Sequence, residues 1–262
     1  MRATWPLKVT PLGSECSRDD VVVVEEPLEM RIEGRPLAVT MRTPGHDKEL
    51  VAGFLYTEGV IDGPDDVRAM AKVQDPSDPQ DNTLDVLLAA GVKADEGRFA
   101  SAQRAFYASS SCGVCGKATI ESVLRGAPPL DHRPRASAEQ LQALPHVMRA
   151  AQAAFERTGG LHAAALFDFD GQLEILREDV GRHNAVDKVL GWRLLQDCAP
   201  VDDRILLVSG RAGFELVQKA LVARVPVMAA VGAPSSLAVQ LARDAGMQLV
   251  GFLADDRGNV YA

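Results

Sequence analysis

The chain has 262 residues, 47% of them apolar, with 28 Lys+Arg against 36 Asp+Glu and a formal net charge of −8. That composition supports one large or two ordinary packed cores and excludes wholesale disorder, a disulfide-dense scaffold and a broad nucleic-acid or anionic-lipid surface, though not a local basic pocket for a phosphate-bearing ligand. The longest apolar runs, around Val21 to Val24 and Val225 to Ala233, fall short of the roughly 18 residues of a membrane span, and Met1 to Thr10 lacks an apolar signal core, so a cytoplasmic location is expected.

In chain order, Leu28, Met30 and Ile32 alternate with charged residues, Glu33-Gly34 marks a turn, and Leu37, Val39 and Met41 alternate again, which predicts a β-hairpin with one buried face. Pro44-Gly45 ends it. Asp47 is the expected N-cap of a helix carrying Leu50, Val51, Phe54 and Leu55, closed by Gly59, and Leu84, Val86 and Leu88 predict a further strand. The polar stretch from Lys93 to Arg104 reads as a boundary or surface segment, so residues 1 to 105 are expected to form a small α+β domain.

Residues 106 to 262 are expected to form the second domain, with a mobile CxxC loop at its start. Lys117 to Arg125 reads as a short helix, and Ala127 to Arg135 carries prolines and reads as a loop. Ser137 and Gln140 form a capping-box pair, and Pro145 suits the first turn of a following helix whose face is Val147, Met148, Ala151 and Phe155. Strand, turn and strand then run over Leu161 to Phe167, Asp168 to Gly171 and Gln172 to Arg177, followed by a helix marked by Val186, Val189 and Leu190. Strands at 204–209, 225–231 and 247–253 alternate with helices at 214–223 and 235–245.

The predicted class is α/β: a mixed sheet between helices in a three-layer α/β/α domain, joined by right-handed crossovers. This element order resembles the cytidine-deaminase-like fold. A zinc deaminase needs a ligand and a Glu at one helix start and a CxxC at the next. Here those starts read Gly181-Arg182-His183-Asn184-Ala185 and Ser209-Gly210-Arg211-Ala212-Gly213-Phe214-Glu215, without a cysteine, so no metal site is expected there.

Of the 4 cysteines, Cys16 and Cys198 are isolated while Cys112 and Cys115 form a CxxC within Ser110-Ser111-Cys112-Gly113-Val114-Cys115-Gly116-Lys117. Thiolate is the reactive form; a helix start and a nearby lysine favour it, and flanking glycines admit a second molecule. A redox pair, two buried thiols and half a zinc site remain alternatives at this stage. Thr158-Gly159-Gly160-Leu161-His162 reads as a helix stop leading into a strand with a satisfied core histidine. Glu178 to Lys188 crowds polar and ionic groups onto a strand end and helix start, where ligands bind in open α/β sheets. Capping by Asp179 or Asn184 and a surface charge pattern at Asp187-Lys188 explain part of that motif but leave Arg182 and His183 without a task. The turn Ser209 to Gly213 repeats the arrangement, with Arg211 as a charge-assisted donor. Gly232 to Ser236 and Phe252 to Arg257 are ordinary turns taken alone.

Taken together, the motifs resemble the FdhD/NarQ family of formate dehydrogenase accessory sulfurtransferases. The resemblance is carried by Glu25-Glu26-Pro27-Leu28-Glu29, Thr40 to Gly45, Gly53-Phe54-Leu55-Tyr56-Thr57-Glu58-Gly59, the Cys112/Cys115 pair, Thr158 to Phe167, Glu178 to Lys188 and Phe214 to Ala220. Departures are Gly213 and Gly232, where family members often have serine, and Ala254-Asp255-Asp256, where they often have a basic residue.

The resemblance implies a sulfurtransferase that takes sulfane sulfur from a cysteine desulfurase and passes it to a molybdenum or tungsten bis-guanine-dinucleotide cofactor before formate dehydrogenase receives it. It also implies a homodimer, with Cys112 as the persulfide carrier, Cys115 as its partner, and Phe252, Leu253, Ala254, Asp255, Asp256 and Arg257 as cofactor-binding residues. From their position alone, Arg182, His183 and Arg211 are further candidates for that ligand, with Lys219 nearby. A non-catalytic cofactor-binding chaperone with structural cysteines is the alternative from another class, followed by a zinc-dependent hydrolase.

Overall fold

The computed structural model describes residues 3–74, 80–92, 96–100, 102–103 and 129–262. It begins with an antiparallel ribbon of β1 (Thr4–Val9) and β2 (Arg18–Val23), followed by β3 (Glu26–Ile32) and β4 (Arg35–Arg42). The predicted hairpin forms there: Ile32 pairs with Arg35, and both residues between them, Glu33 (φ 50°) and Gly34 (φ 77°), are left-handed, the geometry a two-residue turn needs to match strand twist. Leu28, Met30 and Ile32 are buried on one face, as their alternation requires.

After the hairpin comes helix α1 (Asp47–Thr57), whose N-cap is His46, in left-handed backbone, rather than Asp47. Asp47 lies one residue inside the helix because its buried carboxylate is bound elsewhere: Arg42 Nε donates to it at 3.0 Å. Strands β5 (Val67–Lys72) and β6 (Thr83–Leu88) complete a four-stranded sheet in the order β4-β3-β6-β5, with β3 and β6 parallel. Within the stretch expected to be a polar boundary, residues 96–100 and 102–103 are helical, and Phe99 and Ala102 are buried in the core. Their apolar side chains outweigh the charged residues around them.

Helix α2 (Ala138–Ala151) starts on the predicted capping box, with Gln140 N–H donating to Ser137 Oγ and Ser137 N–H to the Gln140 side chain. Pro145 sits inside α2 and not at a new helix start. Buried Leu141, Leu144 and Met148 on both sides of the proline hold the helix against the sheet, which offsets the backbone bond that proline cannot make. The break comes later, at Gln152, before the short helix α3 (Ala153–Thr158).

Strands β7 (His162–Phe167) and β8 (Leu173–Asp179), helix α4 (Arg182–Leu195), β9 (Ile205–Val208), α5 (Phe214–Val222), β10 (Val227–Ala230), α6 (Ser236–Ala245), β11 (Gln248–Ala254) and β12 (Arg257–Val260) follow. Their six-stranded sheet runs β12-β11-β10-β9-β7-β8. The β9, β10 and β11 strands are parallel, while β7 is antiparallel to both neighbours and β12 to β11. Alternation sorts the core into two sides. Ala163, Ala165, Phe167, Ile205 and Leu207 pack with α2, whereas Ala164, Leu166, Leu206 and Val208 join the cluster containing α4, α5 and α6. The architecture is thus mixed α/β with helices on both faces. No helix among the described residues is long and apolar enough to cross a membrane.

The α4-side cluster continues through α1 into the N-terminal sheet. Glycines set this junction: a Cβ on Gly53 would lie 1.9 Å from the Asp187 carbonyl oxygen, and one on Gly191 would lie 1.9 Å from that of Glu49. Backbones of α1 and α4 therefore touch, which only glycine permits.

Candidate functional site

In the six-stranded sheet, antiparallel pairing brings the start of β7 to the same end as the finish of β8, β9, β10 and β11. His162 is paired with Asp179, and Ala164 with Val208. Hydrogen bonds stitch the loops at this end together: Ser209 N–H to the Ala163 carbonyl, Gly232 N–H to the Gly210 carbonyl, and Phe252 N–H to the Gly232 carbonyl at 3.1 Å. The Ser209 hydroxyl returns a bond by accepting from Ala163 N–H at 2.8 Å. Motifs far apart in sequence, at His162, Arg182-His183, Gly210-Arg211, Gly232 and Phe252, thus form one row.

A buried polar knot positions Arg182 and His183. Asp179, fully buried, pairs with Lys188 at 2.6 Å and accepts from Thr43 N–H at 3.2 Å, Gly181 N–H at 2.8 Å and Asn184 Nδ2 at 2.9 Å. Asn184 also donates to the Met41 carbonyl at 2.8 Å, and Lys188 to the Thr43 carbonyl at 3.0 Å. Burial of a charge is tolerated only when it is matched this way. Asp187 and Lys188 are therefore not a surface charge pattern: both are buried. Helix α4 begins on Gly181 without a side-chain cap, so Asp179 and Asn184 brace the turn instead of capping the helix.

His183 Nε2 lies 2.8 Å from Glu215 on α5. That hydrogen bond holds the Glu215 carboxyl below its ordinary value, against partial burial and with help from the Arg182 charge. Glu215 was not legible as part of the site, since its position one residue into a helix is that of an ordinary first-turn acid. His162 departs from the satisfied core histidine of the sequence reading. It is half-buried, its ring lies over Gly210, and its side chain has no hydrogen-bond partner among the described residues. Burial first, then the charges of Arg182 and His183, push its pKa down, opposed by Asp179.

Arg182 and Arg211 likewise make no side-chain hydrogen bond among the described residues. Lys219 is not available to a ligand. It is buried under α1, bonded to Thr57 Oγ1 at 2.9 Å and Glu58 at 2.8 Å, 3.1 Å from Asp187, and over the Phe54 ring. Although desolvation works to lower its pKa, the two carboxylates outweigh it and hold Lys219 protonated. The Gly53 to Gly59 and Phe214 to Ala220 motifs are thus explained by this packing.

Along 252–257, Phe252 is exposed in left-handed backbone (φ 53°), and Ala254 pairs with Arg257 around an exposed Asp255-Asp256 turn. Leu253 does not face outward: its side chain is 2% exposed and packs in the α2-side core, leaving only backbone for a ligand. A Cβ on Gly232 would lie 2.8 Å from the Gly210 carbonyl, so serine there requires the adjoining turn to move, whereas Gly213 has open space. Cys112 and Cys115 lie outside the described residues. Among those described, no group of three or more His, Cys, Asp or Glu side chains could hold a metal ion.

Comparison with known proteins agrees with the motif pattern. A family model described as FdhD/NarQ matches residues 23–262. A sulfur carrier protein FdhD of Mycolicibacterium paratuberculosis is 52% identical over 100% of this chain and 97% of its own length. One from Streptomyces avermitilis is 50% identical over 95% and 90%. The crystal structure of a proposed formate dehydrogenase accessory protein from Desulfotalea psychrophila has the same fold, with a TM-score of 0.73 at 24% identity over 98% of this chain and 95% of that one. With a family match over nearly its whole length and half its residues shared with full-length relatives, the chain belongs to the FdhD/NarQ family.

Proposed function

We propose that this protein is a sulfurtransferase that carries sulfur on Cys112 from a cysteine desulfurase to a molybdenum or tungsten bis-guanine-dinucleotide cofactor destined for formate dehydrogenase. The observation that carries the reading is the full-length identity of 52% to a sulfur carrier protein, in a chain that holds a Cys112/Cys115 pair. The cytidine-deaminase-like arrangement of the C-terminal elements belongs to the same proposal: the fold is kept while the helix starts carry arginine and histidine in place of metal ligands.

Cys112 thiolate attacks the outer sulfur of the donor's persulfide. The donor cysteine leaves as a thiolate, and Cys112 becomes the persulfide. Delivery as sulfide consumes two electrons. Cys115 thiolate supplies them by attacking the inner sulfur of Cys112, which releases hydrosulfide to the acceptor and leaves a Cys112–Cys115 disulfide that an external dithiol reduces, itself becoming a disulfide. An incoming thiol attacking Cys112 directly gives the same balance.

The acceptor is a substrate with several phosphates, and the fit of the sheet end supports its docking there. Arg182, His183, Arg211 and Arg257 stand along one row, and the β8 and β11 ends are four strand spacings apart, roughly 19 Å. A row of that length suits a large extended ligand better than a single phosphate, and Phe252 offers an exposed aromatic face at one end. The net charge of −8 is no obstacle, since guanidinium groups act locally.

The test is a sulfur-transfer assay with a desulfurase and cysteine. Wild type should show one added sulfur on Cys112 by mass spectrometry and activate formate dehydrogenase in cells lacking their own accessory protein. Cys112→Ala should lose both while keeping its unfolding midpoint. Full activation by that variant would leave the cofactor-binding chaperone as the function.

A further inference from the structure

Buried polar groups ordinarily have partners, because desolvating one without a hydrogen bond is costly, and a group withdrawn in part from water feels part of that cost. His162 is half-buried and its side chain is unpartnered among the described residues; Arg182 acts on it from α4 and Gly210 lies against its ring, with exposed Arg211 the next residue of that turn. Neither arginine makes a side-chain hydrogen bond among the described residues. These groups come from three elements: the start of β7, the start of α4 and the β9–α5 turn.

The surroundings of His162 are well defined. From α4 it feels the charges of Arg182 and His183, and from β8 that of Asp179. Asp179 is already saturated by Lys188, Thr43, Gly181 and Asn184, and the Glu215 carboxylate on α5 is taken by His183. From the β9–α5 turn, Gly210 lies against the ring: a Cβ there would be 3.4 Å from His162 Nδ1, and Arg211 follows directly. Among the described residues, the two acids near this histidine, Asp179 and Glu215, are therefore both already paired. An anion seated among Arg182, Gly210-Arg211 and the ring would supply the missing partner and reverse the sign of the local field.

We propose that His162 completes an oxyanion subsite with Arg182 and Arg211, and that a phosphoryl group binds there with uptake of one proton at its imidazole. This deepens the reading above and rests on it for the source of the phosphoryl group, the nucleotide arm of the acceptor. Nothing is oxidised or reduced; the proton comes from solvent and forms an N–H that donates to an anion oxygen. Acceptor binding at this end is accordingly favoured by acid and weakened by base, independently of the sulfur chemistry at Cys112.

The experiment uses the full chain and inorganic sulfate, an anion whose own charge is constant across the neutral range. Histidine side-chain resonances are followed by NMR while sulfate affinity is measured against pH. Sulfate should raise the midpoint of His162, and affinity should weaken about tenfold per pH unit above the free imidazole's midpoint. His162→Gln should flatten that dependence, and His146→Gln, at an exposed position on α2, should retain it. Guanosine monophosphate should displace the sulfate. An unmoved His162 midpoint, undetectable sulfate binding, or equal pH slopes in wild type and His162→Gln would overturn the proposal. Failure of the nucleotide to compete would overturn its assignment to the acceptor. Proton-linked sulfate binding in a protein that transfers no sulfur would sink the sulfurtransferase reading and leave the anion subsite standing.

Discussion

Alanine at position 53 should unseat α1 from α4. In an isolated helix the change would be favourable by about 1 kcal/mol, because glycine is the poorer helix former. Here the added Cβ would lie 1.9 Å from the Asp187 oxygen, 2.6 Å from its carbonyl carbon and 2.9 Å from Gly191 N. Every one of these is a backbone atom and cannot rotate away. Restoring an ordinary contact of ~3.5 Å parts the helices by roughly 1.6 Å. Overpacking typically costs about 1–3 kcal/mol, and a rigid backbone neighbour puts this site at the upper end, so the net loss after the helix-propensity gain is about 2 kcal/mol. Urea unfolding followed by far-UV circular dichroism gives the free energy, and the fluorescence of Trp192, next to Gly191 in α4, reports the junction. A Gly53→Ala protein as stable as wild type to within about 0.5 kcal/mol would refute the close backbone crossing. Functionally the same displacement should loosen the hold of Thr43 and Met41 on the turn that presents Arg182 and His183.

Two further outcomes follow from the buried charges. Lys219→Met should destabilise the protein by about 3 kcal/mol near neutral pH, since Asp187 and Glu58 lose their shared cation inside the fold. Burial already pushes the Asp187 carboxyl up, with Lys219 opposing it. Without that lysine its folded pKa rises further above the unfolded value, so the folded state binds more protons and the variant should recover stability as pH falls. Thermal unfolding of the variant and wild type at several pH values measures this, and a pH-independent difference would contradict it. Glu49 behaves oppositely. Burial works to raise its pKa, but Arg177, at 2.6 Å, and His46 overcome that and bring it to about 2 from 4.5. Its stabilising contribution is complete above pH 4.5 and lost as pH falls toward 2; the full shift corresponds to about 3.4 kcal/mol, reduced to about 1–2 by solvent screening. Glu49→Gln should therefore be less stable than wild type at neutral pH and converge with it in acid titrations.

Much of the secondary structure was legible because its causes are local. The β3–β4 hairpin follows from period-two alternation and a Glu33-Gly34 turn, and α2 starts where Ser137 and Gln140 cap each other three residues apart. The misreadings share a different origin. Pro145 looked like a helix start because the burial of Leu141, Leu144 and Met148 that carries α2 through it is a property of the packed sheet. Asp187-Lys188 looked like a solvated pair because their partners are remote, Thr57 lying 130 residues from Asp187 and Thr43 lying 145 from Lys188.

For function, the sequence alone determined the family, through motifs whose order and spacing are fixed along the whole chain, and with it the CxxC pair. It also placed Arg182, His183 and Arg211 at strand-to-helix turns, the positions at which ligands bind in open α/β sheets. Only the tertiary structure separated Lys219 and Leu253, which are buried, from the groups that face outward, and only it set His162 near Arg182 and against Gly210. Spacing along a chain fixes what is near within one or two turns of helix or strand. Whether a charge is spent on a buried partner or left for a ligand depends on which distant element packs over it, and that is decided when the sheets and helices meet.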